Sequence, residues 1–344
     1  MAWTEKTYVE FIGRRAEKKN GKWRASIPTQ ETLDLIYGKH FTDANESFDT
    51  ILSKIDDEVR RLYQKYNRKK HVDKVAIPDG GSFNKCHGDW TENICGITAW
   101  NVLCELNERR EKEDGYYIYV KLPDRKNDGG DADETLWTTL LAHKPNQLIN
   151  ERKGRLKRAN ENAVKLESSN PDAVILRLCN IPEGIDPKVK LEGLSEANQK
   201  IIGSVFSLCQ GCVESANQLV AFLSIKTSTR PDRRYQWIVE GNSVKGLIAA
   251  AFDDESNDLK LGALMRNKYY AFRLKRKTKK TQATGTDAEN ELDADRKALI
   301  GLIMFSSLFN ESAIGCVDAI DELYETLTPA VLGEYVRNDK SGTF

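Results

Sequence analysis

At 344 residues, with 40% hydrophobic and 30% charged side chains, the chain has the composition of a globular protein able to bury a large core. Fifty-two basic residues balance fifty-two acidic ones, so net charge announces no polyanionic partner, and any such footprint must come from local clusters. No apolar run approaches the ~20 residues that span a bilayer, and Met1-Ala2-Trp3-Thr4-Glu5-Lys6 lacks an apolar signal core. A cytoplasmic protein with no membrane partner is expected. Seven cysteines, an odd number, argue against a disulfide framework. Cys209-Gln-Gly-Cys212 is a single CxxC without a second pair, and His40, His71, His87 and His143 are scattered, so buried reduced thiols are expected rather than zinc.

Residues 1–75 read as mainly helical. Tyr8, Phe11 and Ile12 form one apolar set, and Phe48, Ile51, Leu52, Ile55, Val59 and Leu62 a longer one at helical spacing. The basic runs at 14–24 and 60–70 suit a solvated face, with phosphate contact as the alternative. Pro78-Asp79-Gly80-Gly81 reads as a turn or loop. It leads through Gly88-Asp89-Trp90-Thr91-Glu92-Asn93 into a helix reaching about Arg110, apolar on most sides. Glu92 then falls near the start of that helix, and Asp89-x-x-Glu92 has the form of a capping box.

Tyr116 to Leu122 alternates as a strand does. A loop over 124–133 and a helical stretch over 134–166 follow. Asn170-Pro171-Asp172 precedes the short apolar run Ala173–Leu178, a buried strand with an acid at its mouth; a turn residue after proline is the plainer reading of Asp172. Residues 192–216 read as helical. Gln218 to Lys226 is a strand ending in a polar turn marked by Pro231. A helix begins near Tyr235, with Ile238, Val239, Val244, Leu247, Ile248 and Ala251 at helical spacing. Lys268 to Leu274 reads as a strand running into Lys275, Arg276, Lys277, Lys279 and Lys280, the most basic segment of the chain. Residues 296–335 read as helical.

Lys226 and its surroundings carry the chemistry. A lysine closing a buried strand is costly unless an anion partners it. Arg230-Pro231-Asp232-Arg233 directly after it offers guanidinium forks for guanine and a carboxylate that can accept from a cytosine amino group; a local salt-bridge turn is the plainer alternative. A strand beginning at Asp172 beside one ending at Lys226 would bring acid and lysine together. That pairing suits metal-assisted phosphodiester hydrolysis, in which carboxylates hold a divalent cation and a cation stands near the attacking water. Nucleases of this kind place a second acid two residues before the lysine, where strand alternation points both the same way. Ser224 stands there instead, so an acid must come from elsewhere, and Glu240 and Glu92 are the candidates.

Between Asp172 and Lys226 lie 53 residues, and between Lys226 and Glu240 lie 13. Together with Ser224, the Arg230-Pro231-Asp232-Arg233 signature and the upstream Glu92, this spacing resembles the CCGG family of type II restriction endonucleases, a branch of the PD-(D/E)XK nucleases. The likeness covers about residues 88–250. It implies an α/β fold with a restriction-endonuclease-like PD-(D/E)XK core, a mixed central sheet flanked by helices, and helical N-terminal and C-terminal additions. Residues 1–75 would form the N-terminal region, touching DNA backbone or oligomer partners, and 76–344 the endonuclease domain.

By the same resemblance Asp172 and Glu240 are metal ligands, with Glu92 near a second metal position. Lys226 orients or activates the attacking water, and Ser224 assists. Arg230, Asp232 and Arg233 read bases, and Mg²⁺ is the cofactor; outside the likeness, the basic segment with Lys275, Arg276 and Lys277 suits a loop laid along a DNA backbone, with a surface hairpin as the alternative. Double-stranded DNA, a homodimer or homotetramer and a cognate DNA methyltransferase as companion complete the expectation, because a palindromic site calls for two-fold symmetry. Two alternatives remain at this stage. A repair-type PD-(D/E)XK nuclease should lack the Arg-x-Asp-Arg signature, and in a non-catalytic nucleic-acid-binding protein Asp172 and Glu240 would not converge with Lys226.

Overall fold

The computed structural model describes residues 3–15, 17–19, 22–24, 26–39, 48–70, 77–123, 136–159, 171–226, 244, 247–248, 250–252, 268–274 and 312–317. In chain order these form α1 (Glu5–Arg15), the short strands β1 (Glu17–Lys19) and β2 (Lys22–Arg24), α2 (Thr29–Tyr37), α3 (Phe48–Lys70), α4 (Gly80–Glu108), β3 (Tyr116–Lys121), α5 (His143–Ala159), β4 (Ala173–Leu178), α6 (Glu196–Leu208), β5 (Leu219–Lys226), β6 (Lys268–Leu274) and β7 (Ser312–Val317). Leu136–Leu140 makes a 3₁₀ turn ahead of α5, and Val244, Leu247, Ile248 and 250–252 are helical.

Five strands form one mixed sheet in the order β3-β4-β5-β6-β7. β3, β4 and β5 run antiparallel, whereas β5, β6 and β7 run parallel. β4 sits between two neighbours, and Ala173, Val174, Ile175 and Leu176 are wholly buried, which is why its sequence reads as a continuous apolar run rather than an alternating one. Lys121 pairs with Ala173, and Ala173 with Leu223, so the end of β3, the start of β4 and the end of β5 share one end of the sheet.

One face of the sheet is covered by α4 and α6, which pack on β3. On the other face Trp137 meets Phe222 edge-on, with ring centroids 5.2 Å apart. α4 is apolar nearly all round because it is covered nearly all round. Its outer side carries the N-terminal layer, where the indole of Trp90 donates to the Thr29 carbonyl (3.1 Å) and His87 Nε2 lies 2.7 Å from Asp56 Oδ1 on α3. Toward its C-terminus Asn107 acts as a surrogate strand. Its amide donates to the Tyr117 carbonyl and its oxygen accepts from the Tyr117 amide, both at 2.8 Å. The apolar set on α3 is buried as its spacing predicts, with Ile51, Leu52, Ile55, Val59 and Leu62 at zero exposure in the same core as the sheet.

Five elements differ from expectation, one of them the stretch 192–216, which is helical over Glu196–Leu208 and then turns into the bridge at Val213. The Pro-Asp-Gly-Gly stretch is a helix start: Asp79 is the N-cap of α4, its carboxylate accepting from Ser82 N at 2.8 Å. Proline just before a cap and glycine in a first turn are both compatible with that. Within 1–75, β1 and β2 pair antiparallel. The stretch 134–166 opens with the 3₁₀ turn and a break, where Leu141 bridges Val213, before α5 begins. Finally, Ser312–Val317, expected inside a helix, is a strand parallel to β6; a six-residue apolar segment does not distinguish helix from strand by periodicity alone.

Candidate active site

Asp172 stands one residue before β4, half-buried, and the sheet holds it on both sides. Its amide donates to the Leu223 carbonyl of β5 (2.8 Å), and its carbonyl accepts from Leu122 N just beyond β3 (3.0 Å). Its Oδ2 accepts from the amide of Ile225. The acid is therefore a link in the ladder, with a second carboxylate oxygen beyond the one tied to the backbone. Continuing the register places it beside Ser224, which is fully buried on β5. Lys226 is the last residue of β5, in register with Arg273 of β6. The expected meeting of Asp172 with the end of the lysine strand is thus present in the backbone.

Glu92 comes from the opposite direction. It lies in the interior of α4, more than two turns after Gly80, and not near a helix start. The capping-box reading of Asp89-x-x-Glu92 falls with that, because interior amides are already bonded within the helix and Asp79 supplies the cap. Lys121, closing β3, brings its ammonium 3.5 Å from Glu92 Oε2 and donates to Asn93 Oδ1 at 3.3 Å.

Two buried groups register where the acids are. Burial pushes the Cys95 thiol well above its ordinary range; Glu92 and then Asp172 push it further, and Lys121 opposes them. Tyr119 is raised too, by burial first and then by Cys95, Glu92 and Asp172. Both carboxylates therefore act on the same thiol and the same phenol. Tyr119 stands against α4 at Gly96, where a Cβ would meet its Cε1 at 3.3 Å and its hydroxyl at 3.4 Å. The Tyr119 hydroxyl is buried without a hydrogen-bond partner among the described residues.

A pair of carboxylates is a hard oxygen donor set of the kind Mg²⁺ prefers, so the residues fit a divalent cation. Among the described residues no group of three His, Cys, Asp or Glu side chains is gathered closely enough to hold a metal. The expected third acid, Glu240, lies outside the described residues, as do Arg230, Asp232, Arg233, Lys275, Arg276 and Lys277. Sequence reasoning missed Lys121 and Asn93. Lys121 was detectable by the argument applied to Lys226: a lysine ending an otherwise apolar strand needs an anion.

A family model described as Cfr10I/Bse634I restriction endonuclease matches residues 30–274. The type II restriction enzyme Cfr10I of Citrobacter freundii is 29% identical over 221 residues, which cover 62% of this chain and 67% of that one. The crystal structure of the type IIF restriction endonuclease Bse634I with cognate DNA aligns at TM-score 0.68 and 22% identity, over 92% of this chain and 96% of that one. A second Bse634I restriction endonuclease structure aligns at 0.66 and 21%, over 91% and 94%. These two establish the restriction-endonuclease fold, including its mixed sheet and flanking helices. No described helix is long and apolar enough to cross a membrane. With the family match spanning well over half of the sequence and the fold agreeing, the chain belongs to the Cfr10I/Bse634I family of restriction endonucleases, enzymes that hydrolyse DNA at specific sites.

Proposed function

We propose that this chain is a Mg²⁺-dependent type II restriction endonuclease that cuts double-stranded DNA at a palindromic site with a CCGG core and leaves 5′ overhangs. The observation that carries the catalytic part is that Asp172 is bonded to β5 at Leu223 and Ile225, where that strand ends in Lys226, while Glu92 meets Lys121 at the same end of the sheet. Asp172 and Glu240 hold the metal, and Glu92 serves a second position. When bound, the cation polarises the scissile phosphate and makes water a better nucleophile at neutral pH.

The chain's own groups do the rest. Asp172 is tied to the backbone through Ile225, which fixes its carboxylate at the end of β5. Lys226 positions the attacking water and steadies charge on the phosphate. Ser224 leaves the usual second-acid position uncharged, so Glu240 supplies the missing carboxylate. Arg230 and Arg233 fork onto guanine O6 and N7, and Asp232 accepts from cytosine N4. Lys275, Arg276 and Lys277 contact phosphates.

A structurally similar relative was solved with cognate DNA, which supports duplex DNA as the partner. The same reading takes 1–75 as a region for backbone or oligomer contacts, the assembly as a homodimer or homotetramer, the location as the cytoplasm and a cognate methyltransferase as companion. Plasmid cleavage with and without Mg²⁺, followed by sequencing of the cut ends, tests it. Discrete ends at CCGG-containing sites, only with Mg²⁺, are expected. Loss of cleavage but not of binding is expected for Lys226→Ala, whereas metal-independent or sequence-indifferent cutting overturns the proposal.

A further inference from the structure

We infer that Lys121 is a positioning residue of the cleavage centre, a resident counter-charge that holds Glu92 and competes with the divalent cation for it. Its ammonium reaches Glu92 Oε2 at 3.5 Å and is anchored from the side by Asn93 Oδ1 at 3.3 Å, so the helix residue after Glu92 fixes which way the lysine leans. Both members of the pair keep only 23% of their side-chain surface exposed. At that burial an ion pair is screened less than the exposed pairs that contribute little. Lys121 is also not remote from the second acid. It pairs across the sheet with Ala173, the residue after Asp172, and the amide next to it, Leu122 N, donates to the Asp172 carbonyl. Its charge acts on the same buried Cys95 thiol as those of Glu92 and Asp172, and with the opposite sign.

Glu92 and Asp172 are like charges that both act on the buried Cys95 thiol at this end of the sheet, and they repel one another. A lysine between the helix and the strand end relieves that repulsion while no metal is bound. A divalent cation arriving at Glu92 must share the carboxylate with this ammonium and meets its like charge. Lys121 therefore weakens binding of free cation to the DNA-free protein while keeping Glu92 oriented.

The inference rests on the metal-dependent reading above, and one experiment separates the two. Mn²⁺ binding to the DNA-free protein is measured from loss of the free-ion paramagnetic resonance signal, with Mg²⁺ as competitor, for wild type, Lys121→Gln, Lys121→Arg, Glu92→Gln and the Glu92→Gln/Lys121→Gln double variant. Lys121→Gln is expected to bind Mn²⁺ about three- to tenfold more tightly than wild type, in the lower part of the range of coupling between adjacent groups. Lys121→Arg, which keeps the cation, stays near wild type. In the Glu92→Gln background the Lys121 substitution changes nothing. A lysine that served only the fold would, on removal, loosen metal binding or leave it alone, so unchanged or weaker binding by Lys121→Gln overturns the inference. So does a tightening that persists without Glu92. Wild-type protein that binds neither ion overturns both the inference and the metal-dependent reading, whereas a wild type that binds and cuts beside an indifferent Lys121→Gln overturns the inference alone.

Discussion

Asp172 and Glu92 reach the same end of the sheet from two differently built regions. Asp172 stands where three strands end, and its amide, its carbonyl and one carboxylate oxygen are all bonded to neighbouring backbone. Glu92 stands in the interior of a 29-residue helix, placed by how closely that helix lies on β3 and held by a lysine side chain. The strand acid is positioned by main-chain hydrogen bonds that cannot change without undoing the sheet. The helix acid is positioned by packing and by side-chain contacts, the Lys121 ammonium among them, so its location can adjust by small amounts. One centre thus combines a fixed carboxylate with an adjustable one.

Substitutions that alter one kind of support at a time would sharpen this contrast or break it. The largest effect is expected for Asp172→Asn, which keeps an oxygen to accept from Ile225 N but removes the charge. Cleavage should fall on the order of a thousandfold, the scale of losing one preorganised electrostatic group, with the melting temperature nearly unchanged. Glu92→Gln should cost about ten- to a hundredfold, nearer the loss of a supporting group. Single-turnover cleavage rates of the two variants, measured together, decide the order; a reversed order would break the contrast.

Gly96→Ala comes next. The added methyl gains about 1 kcal/mol of helix propensity. It also meets Tyr119 at 3.3 Å and Ile202 at 3.6 Å, both buried. Overpacking of that kind costs about 1–3 kcal/mol. A net loss of about 1 kcal/mol in urea unfolding and a several-fold drop in cleavage are expected, because α4 is lifted from β3 and Glu92 with it. Asp79→Ala is expected to be smallest in activity. Losing the cap costs about 1 kcal/mol of stability, yet the cap lies far up the helix from Glu92, so the cleavage rate at a temperature where the variant is folded should not change. If it does, the position of Glu92 depends on the whole helix rather than on its contact with β3.

Much of the sheet was legible because buried strands are short apolar runs bounded by polar turns. β4 and β6 fall on the residues their composition predicts, and β3 and β5 within a residue of it. What was not legible has a common cause. Gly80 and Gly81 look like a turn, but a helix tolerates glycine in its first turn when the residue before it caps, and only the burial behind α4 decides the matter. β7 is too short for its periodicity to decide, and its pairing partner lies some forty residues away. At the site, the separation of Asp172 from Lys226 was enough to bring those two strand ends together. Glu92 was singled out by its place in a motif, while its helix begins twelve residues earlier than that motif suggests. Lys121 was passed over because it belongs to no motif, although the energetic signal it gives is the one that drew attention to Lys226.

β5 joins the antiparallel half of the sheet to the parallel half, and this sets when the enzyme can exist during its own synthesis. Chains are made at about 5–20 residues per second. Asp172 and Ala173 leave the ribosome about fifty residues ahead of the strand that holds them, a wait of roughly 3–10 s at that rate. β6 follows about as late again, and β7 later still. Through that interval the nascent protein already carries both carboxylates but lacks the amide of Ile225 that aims one of them. Because parallel pairing between distant segments forms slowly, competence to cut should arise near the end of folding, after nearly the whole chain has been made.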